Sequence, residues 1–197
     1  MVTQSYHDKN GESGMKLYIF RHGETFANVE KMVQDAHSAK AQLTPNGFAQ
    51  AQKLRDELEK ENLPLVYVSP MDRAKQTGEV VAEANNSKVV VLDDLREVGF
   101  GEAENKHEDD IFKKYGKEFQ AILDVPDLMT YDVRLPGGET KREALERFIG
   151  VLDFIKQDCR CDKAGVATHG HIMRIFYYYL YHIDHEFRHG EYFVVNI

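Results

Sequence analysis

The sequence predicts an α/β protein: a three-layer α/β/α sandwich with a mostly parallel central sheet and a small cap inserted over one sheet edge. Three observations carry that prediction. Four short apolar runs have the length and composition of buried strands, and amphipathic helical segments alternate with them. Polar residues suited to binding an anion then arrive where these strands stop.

The runs are residues 17–20 (Leu-Tyr-Ile-Phe), 65–68 (Leu-Val-Tyr-Val), 89–92 (Val-Val-Val-Leu) and 164–167 (Ala-Gly-Val-Ala). After the first run, Thr44 as N-cap and Pro45 at the first helical position start a helix. Phe48, Ala51, Leu54 and Leu58 keep its period through Lys60. A second helix follows Ser69-Pro70 to about Ala84. Residues 102–136 are acidic and weakly periodic, with a helix expected near 111–123, and read as the cap insertion. Pro136-Gly137-Gly138 is a turn, and residues 139–156 form an amphipathic helix in which Glu139 is expected to cap the N-terminus. An apolar helix over 172–181 and a last strand over 192–195 complete the chain. Its run Tyr177-Tyr178-Tyr179 with Tyr181 reads as core plus interface packing, which leaves room for a homodimer.

Composition bounds what the protein does. With 197 residues and 42% hydrophobic content, one domain over 15–197 is expected after a disordered polar tail over 1–14. The formal net charge of −8 argues against a nucleic-acid surface. No apolar run reaches membrane-spanning length, and the polar opening carries no signal-peptide core, so a cytoplasmic protein with no membrane partner is expected. Cys159 and Cys161 read as reduced surface thiols, because their spacing suits neither a disulfide nor a zinc site. His182, His185 and His189 read as ordinary exposed histidines.

Ligands bind outside the carboxyl ends of strands in open α/β sheets. Three strands here end in Arg21-His22-Gly23, in Ser69 through Arg73, and in Thr168-His169-Gly170, while Leu95-Arg96-Glu97 leaves the third. In a parallel sheet these loops open on one edge. Two Arg, two His and a Glu would then surround one small anion, and a phosphate suits the Arg fork best.

These segments resemble the histidine phosphatase superfamily, also called the phosphoglycerate mutase-like family, and the resemblance runs from Leu17 to about Arg174. Arg21-His22-Gly23-Glu24-Thr25 is similar to the family's opening pattern, with Asn28 and Gln34 beyond it. Leu43 through Ala51, Ser69 through Thr77, Leu95-Arg96-Glu97 and Pro136 through Thr140 match further segments in order. The resemblance implies a metal-independent phosphomonoesterase of small phosphorylated metabolites, needing no cofactor. His22 would be the nucleophile and form a phosphohistidine. Arg21 and Arg73 would hold the phosphoryl oxygens, with Asn28, Gly23 and Gly170 completing the phosphate pocket. His169 would add a donor, and Glu97 would be the acid and then the base. Glu24, Glu102, Glu104 and Glu139 are rival carboxylates.

Three departures qualify that inheritance. His171 stands where many relatives have a second glycine, Ala103-Glu104-Asn105 replaces an aromatic-Glu-Gly stretch, and relatives usually continue past Ile197 through a fuller last strand. A phosphoglycerate-mutase-type phosphotransferase and an inactive phosphate-binding homologue are the alternatives. The cap offers only Lys106, His107, Lys113, Lys114 and Lys117 to a second anionic group, so hydrolysis is favoured.

Overall fold

The structure, a computed structural model, describes residues 14–34 and 39–197. The expected polar tail lies outside the described residues except for Gly14. Strands β1 (Lys16–Arg21), β2 (Leu65–Val68), β3 (Lys88–Val91), β4 (Lys163–Thr168) and β5 (Tyr192–Asn196) form one sheet in the order β3-β2-β4-β1-β5. The first four are mutually parallel, and β5 runs antiparallel beside β1. Six helices accompany them among the described residues: α1 (Phe26–Val29), α2 (Pro45–Leu58), α3 (Asp72–Glu83), α4 (Glu108–Leu123), α5 (Lys141–Asp158) and α6 (Gly170–Tyr181). The three-layer expectation holds.

Strand alternation builds the layers. Leu17 and Ile19 point to the face where Ala144, Phe148 and Leu152 of α5 pack with Ile172 and Phe176 of α6. Tyr18 and Phe20 point to the other face, with Leu54 and Leu58 of α2 and Val81 of α3. Thr44 does cap α2, accepting from the Gly47 N–H at 3.0 Å. At α5 the cap is Thr140, which accepts from Glu143 N while Glu143 returns the bond. Glu139 lies before that cap and does something else, described below.

The segment between β3 and α5 carries its own small core of Ala103, Ile111, Phe119, Ile122 and Leu135, joined by Val33. Its helix α4 begins at Glu108 and breaks at Gly116, whose φ of 41° needs a residue without Cβ. The carbonyls of its last turn would be orphaned, and three side chains from the core helices meet them. Lys141, fully buried, donates to Ala121 O at 2.9 Å, to Thr130 Oγ1 at 2.7 Å and to Asp124 O. His171 Nε2 donates to Ile122 O at 3.0 Å, and Arg174 Nη1 to Leu123 O at 3.1 Å. All four carbonyls are capped from α5 and α6.

The cysteines depart from expectation. Cys159 ends α5 in extended backbone and is buried, and it is joined to Cys161 by a disulfide. That turn holds their Cα atoms 5.2 Å apart, inside the range a disulfide spans.

Candidate active site

The loops leaving β1, β2, β3 and β4 meet at one edge, and hydrogen bonds stitch them together. His22 N donates to Thr168 O at 3.1 Å, and Thr168 Oγ1 to Leu95 O at 2.8 Å. Gly23 N donates to Thr77 Oγ1 at 3.0 Å, while that hydroxyl donates to Arg73 O at 2.8 Å. Motif residues with no chemistry therefore hold those that have it.

His22 and His169 lie at the centre, with ring centroids 5.3 Å apart. His22 is 3% exposed, Arg73 1% and His169 0%. The His22 Nδ1 lies 2.7 Å from Gly23 O, and a carbonyl only accepts. Nδ1 therefore carries the proton, and Nε2 of the neutral ring carries the lone pair. Burial first, then the Arg73 guanidinium, push His22 well below the ordinary histidine range, which favours the neutral ring at physiological pH. His169 is pushed down by burial and Arg73 as well. Its Nε2 meets Ser69 Oγ at 2.8 Å, while its Nδ1 is buried without a hydrogen-bond partner among the described residues. Arg21 Nη1 donates to Phe187 O at 2.6 Å, and its Nε is likewise buried without a partner. Buried polar groups of this kind are suited to holding an anion.

The glycines serve by omission. A Cβ on Gly170 would lie 2.8 Å from Arg21 Nε, so that residue is the slot in which the guanidinium lies. Gly23 and Gly47 approach so closely that a Cβ on either would enter the opposing backbone. Asn28 lines the cleft and closes a capping box with Thr25, leaving its amide NH₂ as a donor.

Glu97 lines the same cleft. Its Oε1 accepts from Val98 N at 3.0 Å and Ile172 N at 2.8 Å, and its Oε2 from His171 N at 3.0 Å. The carboxylate thus sits on the positive N-terminus of α6. Its loop is held by Arg147, which donates to Asp94 O, Arg96 O and Glu97 O at 2.7, 3.0 and 3.3 Å. Arg147 is in turn gripped by both oxygens of Glu139 at 2.9 and 2.7 Å. Glu139 braces this loop instead of capping α5. The other rivals are also engaged elsewhere: Glu24 accepts from Thr44 Oγ1, Glu102 from Lys114, and Glu104 from Phe100 N.

His171 is half-buried beside Phe100, with ring centroids 5.8 Å apart, and its hydrogen bond to Ile122 ties α6 to α4. His189 corrects an expectation. It is half-buried, with its ring 5.8 Å from His22 and its Nε2 buried without a partner among the described residues. Burial and then Arg21 lower it to about 4. The reason is the antiparallel placement of β5: Gly190 N donates to Arg21 O and Arg21 N to Glu191 O, which sets the preceding turn against His22. Sequence alone does not reveal that β5 pairs with β1. His185 is not fully exposed either, since its Nε2 meets Glu191 at 2.9 Å.

The cleft holds about 360 Å³. Arg21, His22, Asn28, Arg73 and Gly170 line it, and so do the apolar side chains of Phe100, Phe119, Leu123 and Phe187. Sequence reading missed those four walls and also Glu108, Arg174 and Glu186 at the cleft. Among the described residues no three His, Cys, Asp or Glu side chains are grouped to hold a metal ion. No described helix is long and apolar enough to cross a membrane.

The depressed histidines carry a stability consequence. His22, His169, His171 and His189 all titrate lower in the folded chain than the ordinary value near 6.5. As pH falls below 6.5, the unfolded chain takes up protons that the folded chain refuses. Stability is therefore full above that point and declines from pH 6.5 toward pH 4. Urea midpoints should fall between pH 7.5 and pH 5, with a shallower fall in His189→Asn. A flat profile would contradict the burial of neutral imidazoles.

Comparison with known proteins gives the same picture. The chain is 28% identical over 170 residues to phosphoserine phosphatase 1 of Hydrogenobacter thermophilus, covering 86% of this chain and 78% of that one. It is 24% identical over 156 residues to the probable phosphoglycerate mutase GpmB of Escherichia coli, covering 79% and 70%. The mycobacterial glucosyl-3-phosphoglycerate phosphatase, solved with VO3, shares the fold with a TM-score of 0.76 at 19% identity, covering 91% and 90%. The sequence model of the histidine phosphatase superfamily, branch 1, matches residues 17–192 and so spans all four loops of the site, and the chain belongs to that superfamily.

Proposed function

We propose that this phosphoric monoester hydrolase is a metal-independent phosphatase of a small phosphorylated metabolite, acting through a phosphohistidine at His22. The observation that carries the reading is the Nδ1 contact to Gly23 O, which leaves Nε2 of a neutral imidazole as the nucleophile between two guanidiniums and a second histidine. In the first step the Nε2 lone pair forms a bond to phosphorus, and the ester P–O bond breaks. Glu97 supplies a proton to the leaving oxygen. Arg21, Arg73 and the unpartnered Nδ1 of His169 hold the equatorial oxygens, where charge gathers. In the second step Glu97 takes a proton from water, the water oxygen bonds to phosphorus, and the P–N bond breaks to release phosphate. The named relatives include a phosphoserine phosphatase, which accords with hydrolysis.

Brief exposure to a labelled phosphoester, in excess chelator throughout, tests the reading. Label should remain on His22, labile to acid and stable to alkali, as a phosphoramidate is. Label at another residue, or none until zinc or manganese is restored, would overturn it. Label passed to a substrate hydroxyl instead of water would point to a mutase-type phosphotransferase.

A further inference from the structure

Beyond the phosphate pocket, the cleft is built to refuse a second anion. Among the described residues its one cation outside the phosphate set is Arg174. That guanidinium is committed: Nε and Nη2 meet the two Asp184 oxygens at 2.5 and 2.7 Å, and Nη1 donates to Leu123 O. Two further carboxylates line the cleft, Glu108 and Glu186, and neither forms an ion pair among the described residues. The five cap cations expected to greet a second anion do not line the cleft. Lys114 pairs with Glu102 at 2.8 Å, Lys113 with Asp110 at 3.1 Å and His107 with Asp109 at 3.7 Å, and Lys106 donates to Glu102 O. The same cleft is also lined by aromatic and aliphatic side chains: Phe100, Phe119, Leu123 and Phe187.

We infer that the substrate is a phosphate monoester whose remaining part is apolar or aromatic and carries no second negative charge. The inference rests on the phosphatase reading and narrows it. An apolar body displaces water from the four-residue wall, which is favourable in proportion to the area covered. A carboxylate or second phosphate elsewhere in the cleft would lose hydration and meet Glu108 and Glu186, with no uncommitted cation outside the phosphate set to receive it among the described residues.

The test is a matched pair of substrates on the full chain: 3-phenylpropyl phosphate and its analogue bearing a carboxylate at the para position of the ring. We expect kcat/KM to favour the uncharged ring by about tenfold or more at low ionic strength, with the preference shrinking as salt screens the charges. The double variant Glu108→Gln with Glu186→Gln should raise kcat/KM for the carboxylated substrate several-fold and leave the other nearly unchanged. Equal rates, a preference for the carboxylate, or a gap that the double variant leaves untouched would overturn the inference while the phosphatase reading stands. Release of phosphate from neither substrate, with no label on His22, would overturn the phosphatase reading and the inference with it.

Discussion

His22→Ala will lower turnover by a factor on the order of 10⁶, the size of loss that follows removal of the nucleophile from a covalent catalyst. The Nε2 of His169 is occupied by Ser69, and Arg21 and Arg73 have no lone pair to offer. The site itself should survive the change, because the deleted ring is neutral and its one polar bond is local, to Gly23 O. The variant should still bind inorganic phosphate, read as a rise in Tm with added phosphate. His169→Ala, by contrast, keeps the attacking atom and loses one donor, for about 10²–10³-fold. Residual turnover above about 1% in His22→Ala, with phosphate binding intact, would show that phosphorus is attacked by something else.

Glu97→Gln will slow phosphoenzyme formation from an alkyl phosphate by about 10²–10⁴-fold and from nitrophenyl phosphate far less. An alkoxide needs a proton to leave, and a nitrophenolate hardly does. The structure sharpens this experiment. Glu97 accepts three backbone N–H bonds, two of them from the first turn of α6, so the substitution also touches the helix that carries His171. A glutamine satisfies Val98 and Ile172 through its oxygen but turns an NH₂ toward His171 N. A purely structural loss would slow both leaving groups alike, whereas loss of the acid separates them. Single-turnover measurement of the first step keeps the later activation of water out of the comparison. Equal slowing of both leaving groups would show that the proton comes from a group other than Glu97.

Strand runs and polar strand exits were legible in the sequence because parallel strands are buried on both faces and their loops gather on one edge. The residues at 21, 22, 73, 97 and 169 meet for that reason. What escaped reading came from elements without such a rule. His189 reaches His22 because β5 turns back antiparallel, which no local pattern announces. Glu139 looked like a helix cap because it precedes α5 by two residues, yet Arg147, two turns into that helix, draws it toward the loop of Glu97. The cleft walls Phe100, Phe119 and Phe187 come from three separate segments, and their spacing along the chain carries no sign of their meeting. Cys159 and Cys161 were read from spacing alone, while the geometry of the turn after α5 decided their pairing.

The triple anchoring of α4 bears on how this enzyme could be re-engineered. Lys141, His171 and Arg174 grip the last turn of that helix from the two core helices, and two of the three also face the cleft. A chimaera made by transplanting residues 101–136 from a relative would therefore arrive without its clamps. Exchange of the segment alone should yield a catalyst with a wandering lid and blurred selectivity. Moving positions 141, 171 and 174 with it makes the transplant a self-consistent module, so the portable unit is discontinuous in the chain.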